Sequence, residues 1–236
     1  MFKFKQFSIK QDQSAMKVGT DGVLLGAWTP IDHQPFSILD IGAGTGLLSL
    51  MLAQRSHAEL IDAIEIDENA FEECVENFEN SPWSDRLFCF HAALDEFIEE
   101  PEELYDLIVC NPPFYEEHYK SNNKQRDLAR FQDAMPFENL IDAVNILLSE
   151  NGVFSVIIPF NQEEKFIQLC AELDFFPVKI TRVKGQIKTP IIRSLLAFKR
   201  YELPVLETDE LIIEIDRHVY TEKYISLTKD FFLKLD

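Results

Sequence analysis

Short apolar runs alternate with longer amphipathic segments along most of the chain. The short runs predict buried strands, and the segments whose apolar residues recur every three or four positions predict helices. Strands are predicted at residues 37–41, 60–66, 86–91, 104–110, 152–158, 177–183 and 194–199, and helices at residues 47–55, 68–79, 137–149 and 163–173. This alternation predicts an α/β fold with a doubly wound sheet of about seven strands, flanked by helices.

Two end segments flank the alternating region. Residues 1–35 are a predicted N-terminal arm, a loop that leads into a short helix. Residues 201–236 are a predicted C-terminal extension, in which 211–215 favours one more extended segment and 221–235 favours a helix. The chain is long enough for one large domain and its core. We therefore predict that residues 36–200 form that domain and that the extension packs on it.

A glycine-rich loop follows the first predicted strand. Gly42, Gly44 and Gly46 have the spacing G-x-G-x-G, which differs from the G-x-G-x-x-G of dinucleotide sites and disfavours a nicotinamide oxidoreductase. Glycines let the backbone turn sharply and approach a ligand closely, and the helix start that follows supplies unpaired N–H groups. Such a loop suits a nucleoside with a carboxylate tail.

Acidic residues lie at the ends of the first two strands. The Glu65 carboxylate can accept hydrogen bonds from both hydroxyls of a ribose, although a polar residue that only closes the strand is the alternative. Asp40 can bind the ammonium group of an amino-acid tail or brace the loop, and both roles are open. Asp67 is expected to cap the next helix.

The fourth predicted strand ends in a tetrapeptide with two prolines: Asn111, Pro112, Pro113 and Phe114. The prolines cannot continue the sheet, and the first of them biases Asn111 toward an extended backbone. An amide oxygen, a free carbonyl and an aromatic ring can together hold a planar group that bears an NH2. Taken alone, the tetrapeptide also fits an ordinary strand-ending turn. Because ligands bind beyond the carboxyl ends of such strands, we expect Asn111, Glu65 and the glycine loop at one edge.

Charge is distributed unevenly along the chain. The net charge of −19 opposes binding of a polyanion through the mean field. Residues 179–200, however, carry a charge of +7 with no acidic residue, and residues 1–17 and 118–130 are also basic. Each stretch alone fits a solvated surface. Together they predict a phosphate-binding face. Its expected nucleic-acid-binding residues are Lys120, Lys124, Arg126, Arg130, Lys184, Lys188 and Arg193.

Other residue types predict neither disulfides nor a metal site. The cysteines are widely spaced and lie mostly in apolar segments, as is typical of reduced core thiols; they are Cys74, Cys89, Cys110 and Cys170. The histidines are scattered, so no metal is expected. No apolar run approaches the roughly 20 residues of a membrane span, and the N-terminus lacks a secretory signal. We expect a cytoplasmic monomer without a membrane partner.

The order of the glycine loop, Glu65 and Asn111-Pro-Pro-Phe114 resembles that of class I S-adenosylmethionine-dependent methyltransferases that act on an exocyclic or amide nitrogen. The resemblance implies a Rossmann-like sheet and S-adenosylmethionine as cofactor. It also implies that Asn111 and the carbonyl between the prolines accept hydrogen bonds from the target NH2, while Phe114 stacks on its plane. A stacked base cannot reach such a pocket, so the nucleotide must be flipped out or single-stranded.

Further segments are similar to the bacterial tRNA(Val) adenine-N6 methyltransferase family. They are Phe4–Phe7, Met16–Gly22, Leu24–Trp28, Leu39–Gly44, Leu50–Arg55 and Ser81–Trp83. This resemblance implies that the substrate is adenine 37 in the anticodon loop of tRNA(Val). It places Lys17, Thr20 and Asp21 over the cofactor or target pocket, with a capped turn as the alternative. It assigns Arg126 and Arg130 to the tRNA backbone.

The chain departs from the related enzymes after the third strand, where they often have an acidic residue that touches the cofactor adenine. Ala92 and Ala93 stand there instead and can offer only backbone or apolar contacts. A ribosomal RNA adenine-N6 or guanine-N2 methyltransferase is the main alternative, because the catalytic motif alone does not distinguish it. A protein glutamine-N5 methyltransferase is less favoured, since the arm leaves no room for a helical N-terminal domain. An RNA-binding module with an idle cofactor fold conflicts with the intact loop, Glu65 and Asn111.

Overall fold

The computed structural model describes residues 1–99, 104–113 and 135–234. The strands are β1 Phe2–Lys3, β2 Ser8–Ile9, β3 Ser37–Ile41, β4 Leu60–Glu65, β5 Leu87–His91, β6 Tyr105–Cys110, β7 Leu148–Pro159, β8 Phe176–Gln186, β9 Ile191–Lys199, β10 Glu207–Asp216 and β11 Val219–Tyr220. The helices are α1 Thr20–Trp28, α2 Leu47–Arg55, α3 Glu68–Glu79, α4 Leu94–Phe97, α5 Phe137–Leu147, α6 Glu163–Ala171 and α7 Glu222–Thr228. A 3₁₀ turn, Phe160–Gln162, precedes α6.

A mixed, mostly parallel sheet forms the centre of the molecule and confirms the predicted fold class. Its strand order is β11-β10-β8-β9-β7-β6-β3-β4-β5. Strands β7, β6, β3, β4 and β5 run parallel, whereas β9 lies antiparallel between β7 and β8. Because parallel neighbours share a direction, the carboxyl ends of β3, β4 and β6 lie at the same edge.

The sheet has nine strands in the described part of the chain, so the prediction of about seven was too low. The additional strands come from the C-terminal extension: β10 pairs in parallel with β8, and β11 pairs antiparallel with β10. Of the residues in β10, Leu211 is buried. Lys179 and Lys184 of β8 form ion pairs with Glu207 and Glu210 of β10. Strand β10 contains the extended segment predicted at 211–215, whereas β11 was not predicted.

Helices cover both faces of the sheet. On one face, α1, α2, α3 and α7 contribute to a single apolar cluster that includes Leu50, Phe78 and Tyr224. On the other, α5 and α6 pack into a second cluster, and the ring of Phe166 contacts the ring of Phe198 at a centroid distance of 5.8 Å. A fully buried side chain of this size contributes about 1.5–3 kcal/mol. Packing of the two clusters on its faces fixes the sheet, at one edge of which the predicted site lies.

The arm and the chain end meet on the first of these faces. Phe4 forms an isolated β-bridge with Phe232, and the ring of Phe7 packs edge-on against Trp83. The last helix ends at Thr228, earlier than predicted, because the chain then turns toward this bridge. The division into arm, domain and extension stays a prediction. The described helices include none that is long and apolar enough to cross a membrane.

Candidate functional site

Three strand ends bring the predicted site residues to one level at the sheet edge. Ile41 at the end of β3 pairs with Ile64 of β4 on one side and with Cys110 of β6 on the other. Adjacent strands lie about 4.8 Å apart. The residues that follow these three directly are Gly42, Glu65 and Asn111. The register therefore brings the glycine loop, the acidic residue and the asparagine together, as expected from the sequence.

The three loop glycines have left-handed backbones but different surroundings. Their φ angles are +70° at Gly42, +57° at Gly44 and +78° at Gly46. A Cβ atom added at Gly42 or Gly44 would meet nothing within 4 Å, whereas one at Gly46 would lie 2.5 Å from the ring of Phe78 and 2.9 Å from Cys74 Sγ. Gly42 and Gly44 thus border open space that a ligand can fill. Gly46 allows α3 to pack against the loop.

Glu65 is 9% exposed and braces the loop. Its Oε2 accepts a hydrogen bond from the Gly44 N–H at 2.7 Å, and its Oε1 accepts one from the Asp67 N–H at 2.9 Å. Each carboxylate oxygen can accept a further bond, so ribose hydroxyls can still bind there. The Asp67 side chain accepts from the Ala70 N–H, which confirms the predicted helix cap.

Asp40 is completely buried beneath the loop. Its Oδ2 accepts hydrogen bonds from the Ser49 N–H at 3.1 Å and the Ser49 hydroxyl at 2.7 Å. Its Oδ1 has no hydrogen-bond partner among the described residues. Loss of solvent raises the pKa of Asp40 to about 7, although the bonds from Ser49 oppose this shift. One oxygen therefore braces the start of α2, while the other is a buried acceptor without a partner among the described residues. Binding of an ammonium group by Asp40 stays a prediction.

The side chain of Asn111 has a buried oxygen acceptor similar to Oδ1 of Asp40. Its Oδ1 is buried and lacks a hydrogen-bond partner within the described ranges. An unsatisfied buried acceptor costs about 1–3 kcal/mol, so a ligand N–H would be favourable there. The Nδ2 atom lies 3.9 Å from the position of a Cβ on Gly22, which shows that α1 approaches the site closely. Pro112 is buried and Pro113 is exposed, while Phe114 lies outside the described residues.

The start of α1 lies beside Asn111, and the placement of Lys17, Thr20 and Asp21 over the cofactor or target pocket stays a prediction. The N-cap is Gly19 and makes no side-chain cap, so the alternative of a capped turn was wrong. Asp21 Oδ2 accepts a hydrogen bond from Arg193 Nε at 2.9 Å. Lys17 and Thr20 are exposed. The pair of Asp21 and Arg193 joins a predicted pocket residue to a predicted RNA contact.

The segment after β5 offers mainly apolar surface. The Ala92 N–H donates to the Glu65 carbonyl and the Ala93 N–H donates to Glu96 Oε2, both at 3.2 Å, so neither amide is free for a cofactor. Sequence reasoning missed Ile66, whose side chain is 63% exposed directly after Glu65. An apolar residue after a strand-terminal acid was the available signal. Ile66 thus offers exposed apolar surface in the residue next to Glu65.

The basic stretch is less positive in three dimensions than its composition indicates. Lys184 Nζ lies 2.8 Å from Glu210 Oε2, and Arg193 pairs with Asp21. Lys188 is exposed in the turn between β8 and β9, at the same edge as Asn111. The other four predicted contacts lie outside the described residues: Lys120, Lys124, Arg126 and Arg130. In the described part of the chain, no group of three His, Cys, Asp or Glu side chains could hold a metal ion.

Comparisons with solved structures agree with the fold. A predicted O-methyltransferase from Agrobacterium tumefaciens has a TM-score of 0.69 at 20% identity and covers 89% of this chain and 96% of its own. The T. thermophilus 16S rRNA N2 G1207 methyltransferase, in complex with AdoMet and guanosine, has a TM-score of 0.53 at 23% identity and covers 79% of this chain and 45% of its own. At such identities the likeness shows the class I methyltransferase architecture alone.

Sequence comparisons are more specific. The family described as Methyltransferase small domain matches residues 23–135. The tRNA1(Val) (adenine(37)-N6)-methyltransferase of Flavobacterium johnsoniae is 69% identical over 235 residues, with 100% of both chains covered. The protein of the same name from Bacteroides fragilis is 41% identical over 235 residues, covering 99% of this chain and 98% of its own. The predicted family resemblance is thereby confirmed, and the chain belongs to the tRNA1(Val) (adenine(37)-N6)-methyltransferase family.

Proposed function

We propose that this protein transfers the methyl group of S-adenosylmethionine to the N6 amine of adenine 37 in the anticodon loop of tRNA(Val). The observation that carries the proposal is the buried oxygen of Asn111, which has no hydrogen-bond partner among the described residues and lies beside the glycine loop. Family membership supports the choice of substrate.

The described residues fit the cofactor. The open space at Gly42 and Gly44 admits a ligand against the backbone, the Glu65 carboxylate accepts ribose hydroxyls, and Asp40 Oδ1 accepts an ammonium group. Ile66 offers apolar surface next to the ribose position. S-adenosylmethionine, when bound, supplies a methyl group that its sulfonium has already activated for displacement.

Asn111 and the Pro112 carbonyl orient the target amine. An adenine amine is a weak nucleophile because its lone pair is delocalised into the ring. Two acceptors that bind its two N–H groups favour a more tetrahedral nitrogen, whose lone pair then points away from the ring. No strong base is required, since correct placement of the reactants can supply about 7–11 kcal/mol. After transfer, the surplus proton leaves the nitrogen to solvent or through Asn111.

The RNA presents adenine 37 from a loop, where a base can leave its stack at a cost of about a few kcal/mol. Phe114 takes the place of the lost stacking neighbour, which is worth about 1–3 kcal/mol per base. Phosphates contact the basic residues at the same edge and in the sequence that follows Phe114: Lys120, Lys124, Arg126, Arg130, Lys184, Lys188 and Arg193. The protein acts as a monomer in the cytoplasm, where its tRNA substrate occurs.

The deciding experiment uses labelled S-adenosylmethionine with bulk tRNA and ribosomal RNA from cells that lack this protein. Nucleoside digestion and mass spectrometry then identify the product. N6-methyladenosine in tRNA only, mapped next to the valine anticodon, is the expected result. Label on ribosomal RNA or on guanine would refute the substrate but leave the cofactor in place. Label in neither RNA would redirect the search to a protein amide.

A further inference from the structure

A buried carboxylate on α3 holds the N-terminal arm. Glu73 is 1% exposed and accepts four hydrogen bonds from the arm. Its Oε1 accepts from the N–H groups of Asp12 at 2.6 Å and Gln13 at 2.9 Å. Its Oε2 accepts from the Ser14 N–H at 2.9 Å and the Ser14 hydroxyl at 2.5 Å. A charged acceptor that collects three successive backbone N–H groups restrains the direction of the chain more tightly than apolar packing does.

Asn77, one turn further along α3, connects the arm to the glycine loop. Its Oδ1 accepts from the Lys10 N–H at 2.7 Å, and its Nδ2 donates to the Lys10 carbonyl at 3.0 Å. The same Nδ2 donates to the Thr45 carbonyl at 2.9 Å. Asn77 is 4% exposed, so solvent cannot easily replace these bonds. One side chain therefore ties the arm and the loop to the same point on the helix.

The start of α3 is tied to the predicted ribose contact. Asp67 caps the helix and donates its N–H to Glu65, while Gly46 packs against Cys74 and Phe78. A short helix is stiff over its length, so a displacement at one end also moves the other end. Glu65, the glycine loop and the arm thus share one rigid support.

The arm continues from this support to Asn111. The Val18 N–H donates to Gln11 Oε1 at 2.7 Å, which closes the segment between Gln11 and Val18 into a compact loop. The chain then enters α1, where Gly22 lies close to Asn111 Nδ2. Residues 12–14 therefore lie on a continuous, hydrogen-bonded path of the chain that leads to the start of α1 beside Asn111.

We propose that Glu73 is a positioning residue for methyl transfer: by holding residues 12–14 it places the start of α1 against Asn111, and through α3 it couples this placement to the cofactor site. The proposal rests on the proposed function for the identity of the reaction. Coupling between two sites is reciprocal, so binding of S-adenosylmethionine also holds the arm more firmly.

The test compares Glu73→Gln with Glu76→Gln in the full-length protein. Glutamine has the shape of glutamate, but an NH2 replaces one of the two acceptor oxygens and cannot accept from the arm, so two of the four bonds are lost. Glu76 contacts the same arm through an ion pair with Lys10, and its side chain is 47% exposed, which makes it a matched control. Hydrogen exchange at residues 10–22, the Kd of S-adenosylmethionine and the kcat and KM for tRNA are measured for each variant.

For Glu73→Gln we expect faster exchange at residues 12–18, loss of the protection that S-adenosylmethionine confers there, and a fall in kcat of about 10-fold to 100-fold at saturating substrates. Glu76→Gln should stay within about 2-fold of the parent protein in each quantity. A merely structural role would lower the melting temperature without changing kcat of the folded enzyme. Faster exchange at the arm with unchanged kcat and unchanged protection would overturn the proposal.

Ser14→Ala is the second variant, for the case in which Glu73→Gln does not fold. It removes the hydroxyl bond to Glu73 and leaves α3 intact. A smaller loss of kcat in the same direction, about 2-fold to 5-fold, is expected, and parent kcat with faster arm exchange would refute the positioning role. If the parent protein methylates no tRNA, the proposed function fails. The hydrogen-exchange and cofactor-binding measurements then still test the coupling between the arm and the cofactor site.

Discussion

Glu65 and Gly44 are joined by a hydrogen bond of 2.7 Å between the carboxylate Oε2 and the loop N–H. The residue predicted to bind ribose therefore also holds the glycine loop in its left-handed course. A single carboxylate positions the loop and remains able to accept ligand hydroxyls. Removal of the Glu65 carboxylate should therefore weaken cofactor binding, both because the loop loses its support and because the ligand hydroxyls lose an acceptor.

Replacement of Glu65 by Gln should weaken S-adenosylmethionine binding. Hydrogen bonds to charged groups are worth about 1.5–3 kcal/mol, so a rise in Kd of roughly 10-fold to 150-fold is expected. Isothermal titration calorimetry measures the change. Glu68→Gln is the control, because Glu68 lies three residues after Glu65 and is exposed in the first turn of α3. An unchanged Kd for Glu65→Gln would refute the assigned role.

Alanine at Gly44 and at Gly46 should have different effects. Both positions have positive φ, so each substitution costs about 1–2 kcal/mol of backbone strain. At Gly46 the methyl group also meets Phe78 and Cys74, which adds about 1–3 kcal/mol. Gly44→Ala should stay folded but bind S-adenosylmethionine more weakly, because its methyl group enters the open space. Thermal unfolding and binding measured together separate the two outcomes, and equal melting temperatures would contradict the structure.

Asn111→Ala should slow methyl transfer without weakening cofactor binding. The side chain forms no hydrogen bond through its buried oxygen to the described residues, so its loss should leave fold and cofactor affinity near those of the parent. Methyl transfer should fall by about 10²-fold to 10³-fold, the usual cost of losing one polar group that orients a reacting centre. Single-turnover assays with tRNA test this, and full activity would remove Asn111 from the mechanism.

Ionisation of Asp40 should make the stability of the protein fall with pH and its affinity for an ammonium group rise with pH. Its pKa is about 7 in the folded protein and 3.8 ordinarily, so the folded state binds the proton more tightly. Its contribution to stability is therefore present at low pH and is lost as pH rises from about 4 to about 7, by up to about 1.4 kcal/mol per unit. Affinity for an ammonium group needs the ionised form, so it should rise with pH, be in the middle of its change near pH 7 and level off only well above it. Asp40→Asn should abolish both trends in unfolding and calorimetric titrations; a persistent trend would assign it to another group.

Neutralising Arg126 and Arg130 together should flatten the salt dependence of tRNA binding. Each lost phosphate contact reduces the slope by about 0.7 for single strands and about 0.9 for duplex. Binding of S-adenosylmethionine should not change. Lys199→Gln is the control, since β9 places Lys199 at the opposite edge of the sheet, paired with Phe176. A slope as steep as that of the parent would show that these arginines do not contact phosphate.

The sequence by itself determined the elements that depend on local pattern. Helices Leu47–Arg55 and Glu68–Glu79 begin and end where predicted, because segment length, residue type and the Asp67 cap act within a few residues. The placement of Glu65 and Asn111 at one edge also followed from order alone. Consecutive parallel strands bring their carboxyl ends together.

Tertiary structure decided what depends on distant neighbours. Gly44 and Gly46 are equivalent in sequence and differ only because Phe78 packs against one of them. The bonds from Glu73 to the arm join residues about 60 positions apart, and no local pattern encodes such a pairing. The partial neutralisation of the basic stretch depends likewise on ion pairs that β8 forms with β10 and that Arg193 forms with Asp21. Local propensity acts within a segment, whereas these features depend on which surfaces meet after the chain has folded.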